Sequence, residues 1–227
     1  MLLKHPRLIL TGLILFELLI VMIYLGSILI YGQPLYAFDM NGLMTIPSLL
    51  QALQLLSIGL ISLTLFIQEQ TYQRPPSQRF KLAIALLLIY GGIDELFKIH
   101  LQLKHWFDSL GDRTWLGIYL AIFLGTPLLL YPDFRNLWRY YQRETLIAIL
   151  GMIIFAVGGF GAEIFKDIIQ TLLNLLGTTE LMTNLIEHLR IAVEEFAELF
   201  GESLILYSAL CFFSQRLKER NTAPAVK

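Results

Sequence analysis

A single cysteine, Cys211, stands in 227 residues. One thiol excludes an internal disulfide framework and any zinc site built on several cysteine ligands. Charge is scarce as well: 15% of residues are Asp, Glu, Lys or Arg, against about 25% in soluble domains. The net charge of -1 excludes a nucleic-acid binder that relies on a positive field. Gly-x-Ser-x-Gly, a phosphate loop and a His pair at zinc-binding spacing are all missing, so no hydrolase or nucleotide motif is present.

Apolar residues take the place of charge. They make up 56% of the chain, and its mean hydropathy is +0.64. A helix needs about 20 mostly apolar residues to cross a bilayer, because no water there satisfies the backbone. Six runs meet that demand, at 8–31, 43–67, 80–101, 115–131, 145–165 and 191–213. No small-residue cleavage site follows the first, which reads as a retained helix. Pro127 is expected to kink the fourth.

The expected fold is therefore all-α, a six-transmembrane-helix bundle forming one polytopic domain over 1–227. Basic residues orient it. Lys4 and Arg7; Arg74, Arg79 and Lys81; Arg135, Arg139 and Arg143; and Arg216, Lys218, Arg220 and Lys227 all fall on one side. Only Lys98, Lys104, Arg113, Lys166 and Arg190 fall on or near the other. Both termini are then cytoplasmic, in a multi-pass protein of the plasma (inner) membrane whose first partner is the lipid bilayer. Trp106, Trp115, Tyr131, Trp138, Tyr140 and Tyr141 read as the aromatic belt, and His5 and His105 as interface residues.

The outer connection 166–190 is patterned. Ile168, Ile169, Leu172, Leu173 and Leu176 recur at helical spacing, as do Leu181, Met182, Leu185, Ile186 and Leu189. Gly177 suits a helix end, and Thr178-Thr179-Glu180 suits a start. Two short amphipathic helices capping the outer face fit this, and so do two long helices that simply protrude. Glu95-Leu96-Phe97-Lys98 recurs as Glu163-Ile164-Phe165-Lys166, each after a Gly-Gly pair.

Ionisable groups within a span cost a few kcal/mol each and face the bundle interior. Glu17, Asp94, Glu95, Glu163, Glu194, Glu195, Glu198 and Glu202 all lie in or at the edges of the apolar runs. Counted from the inner ends, Asp94 lies at ~20 Å, Glu163 and Glu195 at ~27 Å, Glu198 at ~22 Å, Glu202 at ~17 Å and Glu17 at ~13 Å. Three runs thus bring carboxylates to the outer half of a hydrocarbon layer about 30 Å thick.

Local ion pairs account for some of them. Asp94–Lys98 and Arg190–Glu194 are spaced i, i+4, and Glu95–Lys98 and Glu163–Lys166 are spaced i, i+3. They do not account for His188, Glu195, Glu198 and Glu202, which share one helix face with no basic residue after them until Arg216. Such a row either holds protons or is neutralised by a cation. Gly201 beside it admits close approach of another helix. Glu194-Glu195 resembles the paired glutamates of intramembrane CAAX-type proteases, but Leu199 stands where that motif has Arg.

Carboxylates with one or two imidazoles suit Mn, Fe or Zn. The Glu-x-x-His pairs of di-metal bundles are missing, and His100 and His188 read equally as ligands or as hydrogen-bonded structural residues. The expected metal- or proton-binding set is Glu195, Glu198, Asp94 and Glu95, then Glu202, His100 and His188, with Glu17, Glu163 and Lys98 around it. Binding or moving a divalent cation or protons is the function this set points to. The alternatives are a metal-dependent intramembrane enzyme for a lipid or small apolar substrate, and a structural or assembly subunit of an oligomer or membrane complex.

Overall fold

The computed structural model describes residues 6–69, 74–100, 102, 114–177 and 179–222. Helix is the only regular structure among them. The elements are α1 (Pro6–Tyr31), a 3-10 turn (Tyr36–Phe38), α2 (Ile46–Gln68), α3 (Gln78–Phe97), α4 (Thr114–Leu129), α5 (Tyr131–Tyr140), α6 (Gln142–Leu175) and α7 (Glu180–Thr222).

Among the described residues four helical stretches are long and apolar enough to cross a membrane: α1, α2, Gln142–Gly159 of α6, and Glu180–Arg220 of α7. The pair α4–α5, bent by 65°, makes a possible fifth. The expected six are not confirmed among the described residues. α3 has the length of a span, but Arg79 and Lys81 sit in its first turn and Asp94 and Glu95 in its last. The bend follows Pro127, which removes a hydrogen bond near the end of α4. Beyond it α5 is strongly amphipathic, as befits a helix lying along an interface. Large apolar side chains elsewhere point outward, among them Leu15, Leu29, Leu128 and Leu129, as a lipid-facing surface requires.

Cap chemistry sets several boundaries. Thr45 and Ser48 form a capping box at the start of α2, with Pro47 in its first turn. Ser77 Oγ accepts from Phe80 N to open α3. Gly177 has a φ of +59° and closes α6, and Thr179 Oγ1 accepts from Met182 N at the start of α7. The segment 166–190 therefore takes the extended form, being the ends of α6 and α7 and not two separate cap helices.

α7 is the axis of the bundle. Its cross-links to α2 join Gln51 to Glu198 and Gln54 to Ser203, and Glu69 just past α2 joins Arg216, so the two helices run parallel in a nearly constant register. α1 runs antiparallel to it, with Glu17 on Ser203 and Tyr24 on His188. α6 is antiparallel too and crosses closest where the Gly151 and Gly201 backbones meet. A Cβ at Gly201 would lie 2.7 Å from Gly151 O and 2.9 Å from Phe155 N. The small residue expected to admit another helix does so, and the helix is α6. Ile20, Tyr24, Ile28, Met40, Ala192 and Leu199 form the core between α1, the 36–45 loop and α7.

Candidate functional site

Packing α7 between α1, α2 and α6 buries its polar face. Glu195 is 8% exposed, Glu202 2% and Glu17, opposite them on α1, 0%. Glu198 is less deeply covered. Its carboxylate lies over Gly159 of α6, where a Cβ would stand 2.2 Å from Oε1, and Gln51 Nε2 donates to Oε2 at 3.2 Å. One turn further along α7, Glu202 feels the charges of Glu95, Glu198 and Glu17. Gln54 Nε2 donates to both Glu17 Oε1 (3.0 Å) and Ser203 Oγ (2.9 Å), while Ser203 Oγ donates to Glu17 Oε1 at 2.5 Å. Ser203 thus brings Glu17 level with Glu202, although counting residues from the helix ends placed it lower.

Gln51, Gln54 and Ser203 were missed in the sequence. The signal that exposes the two glutamines is their spacing of three on one face of an otherwise apolar helix.

The end of α3 supplies the other acids. Lys98 adopts a left-handed conformation (φ 46°), which costs a non-glycine residue about 1–3 kcal/mol and stops the helix one residue after Phe97. The run 80–101 is therefore not one continuous helix. The chain turns back, and His100 gives Asp94 two contacts: its backbone N to Oδ1 and its Nδ1 to Oδ2, both at 2.8 Å. Lys98 pairs with Glu95, not Asp94, and its charge reaches Glu195 and Glu198. His188 is held on α1 by Tyr24, Nδ1 to OH at 2.9 Å with the rings edge to face. Arg190 pairs with Glu194 at 2.5 Å as spaced, and with Glu187 as well. The side chain of Glu163 lies outside the described residues, as do His5, His105, Trp106 and Lys104.

These partners bear directly on the expected metal centre. Asp94 is taken up by His100, Glu95 by Lys98 and His188 by Tyr24. Among the described residues no three His, Cys, Asp or Glu side chains lie together so as to hold a metal ion.

A second polar cluster lies at the opposite end, about 32 Å from Glu195 along α7. Arg216, 2% exposed, donates to both oxygens of Glu69, Nε to Oε1 at 3.0 Å and Nη2 to Oε2 at 2.7 Å. Lys81 Nζ, 1% exposed, sits 2.8 Å from the same Oε2, close in charge but poorly angled for a hydrogen bond. Arg216 also donates to Tyr141 OH, which donates to Glu219. Tyr141, expected in the aromatic belt, is instead buried at the foot of α6.

Between the two clusters lies a partly open cavity of about 390 Å³, bounded by α2, α3, α6 and α7 and lined also by α4 and α5. Its wall is aliphatic and aromatic except for a few polar groups, Glu202 among them.

No curated protein and no solved structure matches the chain. A family model matches residues 7–213, and the chain belongs to the family it defines, described as a domain of unknown function (DUF8692).

Proposed function

We propose that this multi-pass membrane protein takes up protons into the acidic row of α7, with Glu198 at the mouth and Glu202 and Glu17 as the buried sites behind it. One observation carries the reading. The row has more acceptors than donors: Glu17 Oε2, Gln51 Oε1, Gln54 Oε1, Glu195 Oε2 and Glu202 Oε2 are all buried without a hydrogen-bond partner. Each such atom costs about 1–3 kcal/mol. A proton bound by a carboxyl adds a donor and removes a charge from low dielectric, so it relieves both costs at once. A divalent metal would need three or more converging ligands, and the described residues offer none.

The basic residues at the Arg216 end support a cytoplasmic side there, and in that orientation Glu198 receives protons from the outer side of a plasma membrane.

A purely structural role has its own support, because Gln51 and Gln54 tie α2 to α7 and α1 through these same acids. Flux separates the two. In liposomes carrying a pH-sensitive dye and a potassium diffusion potential, the wild type acidifies the lumen and Glu202→Gln does so at least tenfold more slowly, with its helix content and melting temperature kept. Wild-type flux no greater than in empty liposomes would overturn the proton reading and leave the structural one.

A further inference from the structure

We propose that the cavity between the α2–α3 and α6–α7 hairpins binds a lipid-soluble molecule with a hydrocarbon body and one hydroxyl group, the hydroxyl donating to Glu202. The site goes beyond proton uptake and does not rest on it.

Its volume, about 390 Å³, lies within the range of small-molecule sites, which is roughly 300–1,000 Å³. It follows α7 from Glu202 to Phe212, ~15 Å, about half the thickness of the hydrocarbon layer. The wall contains hydroxyls, but each already has a hydrogen-bond partner, and a neutral hydroxyl accepts more weakly than a carboxylate. Ser62, Thr126, Thr145 and Ser208 donate to the carbonyls of Lys81, Ile122, Tyr141 and Glu144, and Tyr90 and Tyr119 bond each other. The ammonium of Lys81 at the far end is held by Glu69.

Two carboxylates remain, and Glu202 is the buried one, Glu144 at the start of α6 being only half-buried. Glu202 lines the cavity, is 2% exposed, and its Oε2 has no partner. A fitting ligand is therefore apolar along its length and brings one donor to the Glu202 carboxyl. A hydroxyl suits this better than an ammonium, because the other carboxylate of the wall, Glu144, stands level with Ser208, ~9 Å further along α7, and the ammonium of Lys81 repels a cation. The carboxyl accepts the bond whether or not it holds a proton, since a protonated acid keeps acceptor capacity.

Photolabelling of the full chain in nanodiscs tests the assignment. The probes are a diazirine-bearing medium-chain primary alcohol and its methyl ether, which keeps the shape and the oxygen but cannot donate. At equal membrane concentration the alcohol labels α3 and α6 peptides facing the cavity about tenfold better than the ether, the worth of one hydrogen bond to a buried carboxylate. Glu202→Leu brings the alcohol down to the ether's level, and Ala148→Phe, which fills the cavity, abolishes labelling. Ala209→Phe fills the same space should the first variant fail to fold. Equal labelling by alcohol and ether, stronger labelling by the matching amine, or labelling that survives a filled cavity would overturn the proposal. Loss of proton flux with labelling intact would sink the proton reading and leave this one standing.

Discussion

Arg216 and Lys81 have the residue type and position of ordinary cytoplasm-facing positive charges, yet both are buried on one carboxylate, Glu69. Nothing local announces this, because Glu69 lies 147 residues before Arg216. Pairs within one helix were legible, as Arg190–Glu194 and Glu95–Lys98 show, since spacing alone brings them together. Burial by itself would push the Glu69 carboxyl up. The hydrogen bonds from Arg216, the ammonium of Lys81 and both charges more than reverse this, holding it below its ordinary value of 4.5. A carboxyl depressed in the folded state gives stability that is complete above that ordinary value and lost as pH falls through the lower, folded one. Thermal unfolding in detergent should thus find Glu69→Gln less stable than the wild type at pH near 6, with the gap closing in acid below 4.5. Arg216→Met, which leaves Lys81 on Glu69, is expected to cost about 3 kcal/mol at neutral pH, the low end for a broken buried pair. A gap that does not change with pH would mean that Glu69 is not ionised in the folded protein.

At the scale of the element, apolar periodicity found the helices but not where they stop. α6 and α7 are ~51 Å and ~65 Å long, well beyond the 30 Å or so of hydrocarbon, so the amphipathic pattern of 166–190 belongs to their overhanging ends. The end of α3 was unreadable for another reason: a left-handed Lys98 has no sequence signature of the kind a glycine gives. Glycines did mark the α6–α7 crossing, though not which of them meets backbone. A Cβ at Gly201 runs into Gly151 O and Phe155 N, which cannot give way without moving the helices apart. A Cβ at Gly159 meets only the far end of the Glu198 side chain, which can swing aside. Gly201→Ala should therefore cost about 1–3 kcal/mol and Gly159→Ala less than about 1 kcal/mol, read from unfolding in detergent. Equal losses would show that the Gly159 contact is as rigid as the crossing.

The whole molecule was legible in kind and less so in count. Residue rise alone puts Asp94, Glu163, Glu195, Glu198 and Glu202 in one layer, an expectation that needs only helix geometry and a bilayer of fixed thickness. The count of six is not confirmed at α3, where charged residues in the first and last turns keep the helix out of the four or five long apolar stretches among the described residues. Orientation rests on where the basic residues fall, and the lone cysteine makes it testable. With Cys211 replaced by Ser, new cysteines at Thr179 and Lys218, both exposed, sit at the two ends of the polytopic chain's longest helix. Those ends are 39 residues and ~58 Å apart, more than the bilayer's hydrocarbon thickness, so the two positions emerge on opposite sides if α7 crosses at all. A membrane-impermeant maleimide added to intact cells should label Thr179→Cys at once and Lys218→Cys only after permeabilisation. The reverse pattern would invert the bundle and turn the mouth at Glu198 toward the cytoplasm. Labelling of both from outside would mean that α7 lies along the membrane, leaving the acidic row no side from which to take up protons.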